Sequence, residues 1–269
     1  QPVEEFHILC KEDGGSLEEY HNRSLLSPLQ IVLVDDRCND GSIDAMIKAC
    51  EDIVSSHNDV SFTLQDHRIK GRRQKDNLNA GGQKISVSLD IVSSPRAGVA
   101  CALNHGLRYC QADLVARMDA DDVSTPYRLL TLVKFMHANP SFDVIGTSAA
   151  LFAARQAASG GKHDNRIDAI LPYSNLTQTT ESYCLLRPSL SISDPGFMAW
   201  SMHFTCSIPH PSFVFRKSTV QEVGGYDESI LRCEDYDLWL RILRRNSKSI
   251  VCLPFLGLWH RKHKLRVAW

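Results

Sequence analysis

The stretch that most constrains this chain is Gln30-Ile31-Val32-Leu33-Val34, an unbroken aliphatic run that stops at two acids, Asp35-Asp36. Apolar residues without polar alternation are the pattern of a strand buried on both faces of a parallel sheet. Turn residues follow from Cys38 to Ser42, and apolar positions at Ile43, Met46, Ile47 and Ile53 then predict a helix over 43–54. The segment reads as a βα unit.

The same grammar continues downstream. Ile85 to Val92 predicts a strand, Gly98 to Tyr109 a helix, and Asp113 to Met118 a strand that again runs into acids, Asp119-Ala120-Asp121-Asp122. Ser124-Thr125-Pro126 predicts a helix start, because proline in a first turn already holds helical φ, and Leu129, Leu132, Val133 and Met136 continue it. Further strands are expected over 141–147 and 212–215, and a largely buried helix over about 234–244 through Leu238, Trp239, Leu240, Ile242 and Leu243. Alternating strands and helices predict an α/β fold with one mainly parallel, Rossmann-like sheet covered on both faces. Ligands of such sheets bind beyond the carboxyl ends of the strands.

At 269 residues, 43% hydrophobic and 23% charged, the sequence reads as a single domain over 1–269. Thirty basic and 31 acidic side chains nearly cancel, so no overall field favours nucleic acid or an anionic membrane. Nine cysteines without a CxxC pair point to a reducing, cytoplasmic setting. The sequons at Asn22 and Asn175 leave a secretory location open. No run approaches the ~18 uninterrupted apolar residues of a membrane span. Residues 66–84 are polar, glycine-containing and basic, which predicts an exposed inserted loop. Residues 152–202 have weak periodicity and are expected to cover the site or to bind an acceptor.

If the two acid-tipped strands are parallel, Asp35-Asp36 and Asp119-Ala120-Asp121-Asp122 leave the sheet at the same edge. Acids in D-x-D spacing can aim two carboxylates at one hard cation, and that cation can hold a diphosphate that carboxylates alone repel. Aspartates of this kind also cap turns and helices by accepting backbone hydrogen bonds. A third cluster, Glu234-Asp235 with Asp237, opens the buried helix and offers either a base or a helix cap. His210, held extended by Pro211, is a structural or an acceptor-side histidine.

Four blocks together resemble the family 2 glycosyltransferases, which have a nucleotide-diphosphosugar transferase (GT-A type) domain. They are Ile31 to Asp36, Gly98 to Asn104, Ala116 to Asp122 with Pro126 and Arg128, and His210-Pro211-Ser212 through Glu234 to Arg241. The resemblance implies an inverting transfer from a nucleotide-diphosphate sugar, UDP-linked, to an acceptor hydroxyl, with Mn²⁺ or Mg²⁺. It assigns Asp36 to the uracil, with Asp35 and Asn104 on the same nucleotide-sugar side. Asp119 lies by the ribose or diphosphate and at the metal, and Asp121 is the metal ligand. Asp235 is the general base with Glu234 as its neighbour, His263 approaches the metal or diphosphate, and His210 lines the acceptor side.

The pattern also departs from the family. Relatives open on a strand ending in a Pro-x-Tyr-Asn-like turn, and residues 1–27 hold nothing equivalent, so a normal first strand is expected to be lacking. An inactive nucleotide-binding relative is the non-enzyme alternative. Asp119-Ala120-Asp121-Asp122-Val123 also fits the D-x-D-x-[TV] pattern of haloacid-dehalogenase-like phosphatases, with Asp119 as nucleophile. That reading leaves Asp35-Asp36 unexplained.

Overall fold

The computed structural model describes residues 28–56, 60–68, 74–77, 85–154, 183–188 and 192–261. The 1–27 segment and His263 lie outside them, as do most of 69–84 and all of 155–182.

The fold is α/β as expected, and its strands are divided between two sheets, one mainly parallel and one mixed. In the first, β1 (Leu29–Asp35), β2 (Val60–Asp66) and β4 (Ile85–Ser93) run parallel in the order β1-β4-β2, with β3 (Gln74–Asn77) added antiparallel beyond β2. β3 lies within the stretch read as a loop. Among the described residues β1 pairs only with β4, so it is an edge strand. Its burial is therefore only partial, with Ile31 36% exposed, which corrects the expectation of burial on both faces. Helix α1 (Ser42–Ser56) covers this sheet through Ile43, which joins Phe62, Leu64, Leu89 and Ile91 in one cluster.

The second sheet is mixed, in the order β5-β9-β7-β10-β6, with β8 added to β7. Its strands are β5 (Leu114–Ala116), β6 (Val123–Ser124), β7 (Val144–Ala154), β8 (Tyr183–Pro188), β9 (Val214–Arg216) and β10 (Ile250–Arg261). Only β7 and β10 are parallel neighbours; the other pairs are antiparallel. Alternation along these strands sorts side chains to two faces. Val144, Phe215, Ile250 and Cys252 meet helix α6 (Glu234–Arg245) through Leu238, Trp239 and Ile242, whereas Ile145, Val214 and Val251 meet helix α3 (Arg128–Ala138) through Leu132, Phe135 and Met136. The helix expected from Ser124 starts four residues later, because Val123–Ser124 pairs with β10.

Helix α2 (Val99–Tyr109) joins the two sheets. It lies so close to β1 that a Cβ on Gly106 would come within 2.8 Å of Val34 Cγ2. At one end of α2 the Gly98 amide donates to Asp36 Oδ2 (3.2 Å), and at the other the Gln30 side chain donates to the Tyr109 carbonyl and accepts from the Gln111 amide. α2 therefore runs antiparallel to β1, and β5 starts beside the start of β1. The Asp35-Asp36 turn thus abuts the start of α2, and Asn104 further along that helix reaches the backbone of Tyr226. No helix among the described residues is long and apolar enough to cross a membrane.

Candidate active site

At the end of β1 the two acids divide their work. Asp35 is 8% exposed and accepts from the Cys38 amide (2.8 Å) and from Arg68 Nη1 (3.2 Å). The Cys38 amide, then Arg68, hold its carboxyl below the usual range. Arg68 also clamps Asp66 at the end of β2, with Nη2 to Oδ2 at 2.8 Å. Asp35 is thus bound into the turn. Asp36 remains partly open, touched by the Gly98 amide at the mouth of α2 and by Arg37 at 3.5 Å.

The second acidic cluster folds into a tight turn between β5 and β6, closed by the Asp122 amide donating to the Asp119 carbonyl (3.3 Å). Arg117 grips Asp119 with both guanidinium arms, at 2.7 and 2.5 Å. Asp122 is 7% exposed; its Oδ1 accepts from the Arg261 amide (2.8 Å) and its Oδ2 lies 3.2 Å from His260 Nδ1. The antiparallel pairing of β6 with β10 brings these distant residues together. Asp119, Asp122 and His260 each present a ligand atom, all within 4.8 Å of one another. Asp121 sits in the same turn, half-buried, and its carbonyl accepts from Arg261 Nε (2.8 Å). It is outside the trio, and neither Asp122 nor His260 had been singled out as a ligand from the sequence.

Beneath this turn Arg128 is 1% exposed and donates to the carbonyls of Pro211 and Arg117. Burial pulls it down to about 10, against the pull of Asp122. A buried cation under an acidic turn partly offsets repulsion among the carboxylates.

The third cluster opens α6 behind Cys233, which adopts φ 65. Asp237 is committed to Arg241 one turn on (2.7 Å), while half-buried Asp235 accepts from the Tyr236 amide (2.8 Å). Tyr226 connects this cluster with the Asp119 turn. Burial raises its hydroxyl, Arg117 opposes this, and Asp235, Glu234 and Asp119 add to the rise.

His210 is 6% exposed, with Nε2 2.9 Å from Tyr226 Oη and its ring edge-on to Trp239 at 5.7 Å. Burial holds it well below 6.5, hence neutral. This is the setting of a core histidine. Asn104, expected on the nucleotide side, spends both ends of its amide on the turn before α6: Oδ1 accepts from the Tyr226 amide (2.8 Å), and Nδ2 donates to the Tyr226 carbonyl (2.8 Å) and to Glu228 (3.0 Å).

A two-sheet α/β architecture thus carries an acidic turn in which two carboxylates and an imidazole come together. Residues 83–156 match the family model described as glycosyl transferase family 2. The bifunctional glycosyltransferase pgtA of Dictyostelium discoideum is 28% identical over 195 residues, which is 66% of this chain and 24% of that protein. The UDP-Gal:alpha-D-GlcNAc-diphosphoundecaprenol beta-1,3-galactosyltransferase of Escherichia coli is 28% identical over 156 residues, 57% of this chain and 46% of that one. The chain thus spans less than half the length of either relative. Among solved structures, the mannosyltransferase PcManGT of Pyrobaculum calidifontis in complex with GDP-Man and Mn²⁺ superposes with a TM-score of 0.48 and 14% identity, over 88% of this chain and 49% of that one. Over residues 83–156, then, the chain is similar to the family 2 glycosyltransferases, and the curated relatives it matches are glycosyltransferases.

Proposed function

We propose that this chain carries the donor site and the general base of a metal-dependent, inverting glycosyltransferase that uses a UDP-linked sugar. The observation that supports this best is the meeting of Asp119, Asp122 and His260, whose ligand atoms all lie within 4.8 Å of one another. The two carboxylates would supply the oxygen ligands that Mn²⁺ or Mg²⁺ prefers, and the imidazole adds a nitrogen that Mg²⁺ disfavours. A divalent cation there supplies positive charge to the diphosphate of the donor. The UDP-galactose named for the Escherichia coli relative supports uridine as the base, with Asp36 beside it.

In this reading Asp235 takes the proton of the acceptor hydroxyl. The acceptor oxygen forms its bond to the anomeric carbon as the bond from that carbon to the diphosphate oxygen breaks, and UDP departs with the electron pair. A single in-line displacement inverts the anomeric centre. A hydroxyl is a weak nucleophile near neutral pH, and a positioned base contributes about 10²–10⁴ in rate. Glu234 and Tyr226 stand beside the base and shape its surroundings. Asp121 and His263 remain proposed contributors on the metal side.

The test is calorimetric titration of the purified chain with UDP, with and without Mn²⁺, using GDP and CDP as competitors. The expected result is UDP binding that tightens with Mn²⁺ by about tenfold or more, equivalent to ~1.4 kcal/mol. A folded protein that binds no nucleotide, or binds UDP identically without metal, refutes the proposal.

A further inference from the structure

Helix α4 (Pro195–Ser201) sits on the molecule with its faces inverted relative to what its residues would lead one to expect. Met198 and Ser201, with Met202 just beyond, point inward, and the two methionines join the core beside Leu238 and Trp239. Three aromatic rings stay outside: Phe197 is 53% exposed, Trp200 57% and Phe204 72%. The rings are ordered against one another. Phe197 and Trp200 stack at 5.4 Å with planes 19° apart, and Trp200 meets Phe204 at 5.0 Å.

This shelf is tied to the proposed base. Tyr236, the residue after Asp235, donates its hydroxyl to the Met202 carbonyl at 2.5 Å. Cys206, two residues beyond Phe204, donates its thiol to the Ile208 carbonyl instead. The residue just past α4 is thereby held to the residue that follows Asp235.

What covers the rings follows from area and charge. Aromatic side chains present about 150–250 Å² each, so at these exposures three of them offer roughly 300–450 Å², well under the ~800 Å² per partner of a stable protein interface. Residues 192–215 contain no lysine or arginine, so the shelf lacks the cations that hold a protein surface on anionic lipid. A pyranose ring matches what is left. Its flat C–H face is apolar and packs on an aromatic ring, while its hydroxyl rim stays in water. We infer that Phe197, Trp200 and Phe204 form a sugar-stacking subsite, and that the acceptor of this enzyme is itself a glycan. The inference rests on the transferase reading above and specifies its acceptor.

The experiment is saturation-transfer NMR on the full chain with maltotriose, cellotriose and triacetylchitotriose as probes. Wild type, Trp200→Ala and Trp200→Phe are compared, and UDP calorimetry is run on the same samples. Transfer to ring C–H protons of at least one trisaccharide is expected in wild type, reduced about tenfold in Trp200→Ala and retained in Trp200→Phe, with UDP binding unchanged in both variants. Absence of transfer to all three probes in wild type overturns the inference, as does transfer unaffected by Trp200→Ala. So does binding of the shelf to phosphatidylcholine–phosphatidylglycerol vesicles, or a dimer that Trp200→Ala disperses, in place of saccharide binding. UDP binding without saccharide binding overturns the subsite and leaves the donor site standing. Saccharide binding without UDP binding removes the donor site and leaves the rings as a carbohydrate platform.

Discussion

Replacing His210 by Asn separates a core histidine from one that lines an open acceptor site. In the folded chain His210 is fully enclosed against Tyr226 and Trp239, and its pKa lies well below 6.5, so the folded state excludes its proton. The unfolded chain binds that proton with an ordinary pKa of 6.5. Because the unfolded state then holds more protons, stability rises with pH. The contribution is intact above about pH 6.5 and is lost as pH falls below it. From about pH 7.5 to about 5.5 the loss owed to this one residue is about 1.4 kcal/mol, provided the folded pKa stays below the lower limit. Other groups titrate in the same window, so the measurement is a difference. Urea denaturation of wild type and His210→Asn at the two pH values should show the variant less stable by about 1–3 kcal/mol near pH 7.5, from the lost bond to Tyr226. That gap should shrink by about 1.4 kcal/mol at the lower pH, because Asn does not titrate. An unchanged gap would mean that His210 takes up a proton in the folded state, as a solvent-reached histidine does, and the burial argument would fail.

Three further outcomes are expected. Asp235→Asn should leave UDP binding within error by calorimetry while lowering transfer from a UDP-sugar by about 10²-fold or more; equal loss of both would remove Asp235 from the role of base. Asp119→Asn should weaken the Mn²⁺-dependent part of UDP binding by about tenfold, and His260→Ala should do the same if the trio is the cation cradle; an effect of Asp121→Asn alone would move the metal to Asp121. Gly225→Ala should lower stability by about 1–3 kcal/mol in a thermal melt, since φ is 75 and the new Cβ would stand 2.7 Å from Asn104 Oδ1, the acceptor of the Tyr226 amide.

Much of the chain was legible from short windows of sequence. β1, β4, α1, α2 and α6 stand within a few residues of where hydrophobic spacing and turn residues put them. β10 was not legible, although it is the longest strand among the described residues: Pro254 and Gly257 interrupt its pattern, and its register against β7 shifts between Leu253 and Leu256 and again between Leu256 and Leu258. β3 was hidden for a similar reason. Its residues, Gln74 to Asn77, carry no apolar alternation, and only pairing with β2 makes them a strand. The division into two sheets was equally invisible, since nothing local to β1 states that β4 is its one strand partner among the described residues.

The sequence by itself determined that acids follow strands and that one pair of acids opens a buried helix, because strand and helix preferences act over a few neighbouring residues. Only the tertiary structure decided what each acid does. It drew Asp35 to Arg68 and Asn104 to the Tyr226 turn, and it set Asp122 against His260 through the pairing of β6 with β10. Those assignments depend on contacts between residues far apart in the chain, where one carboxylate is neutralised by a distant cation and another is left partly open.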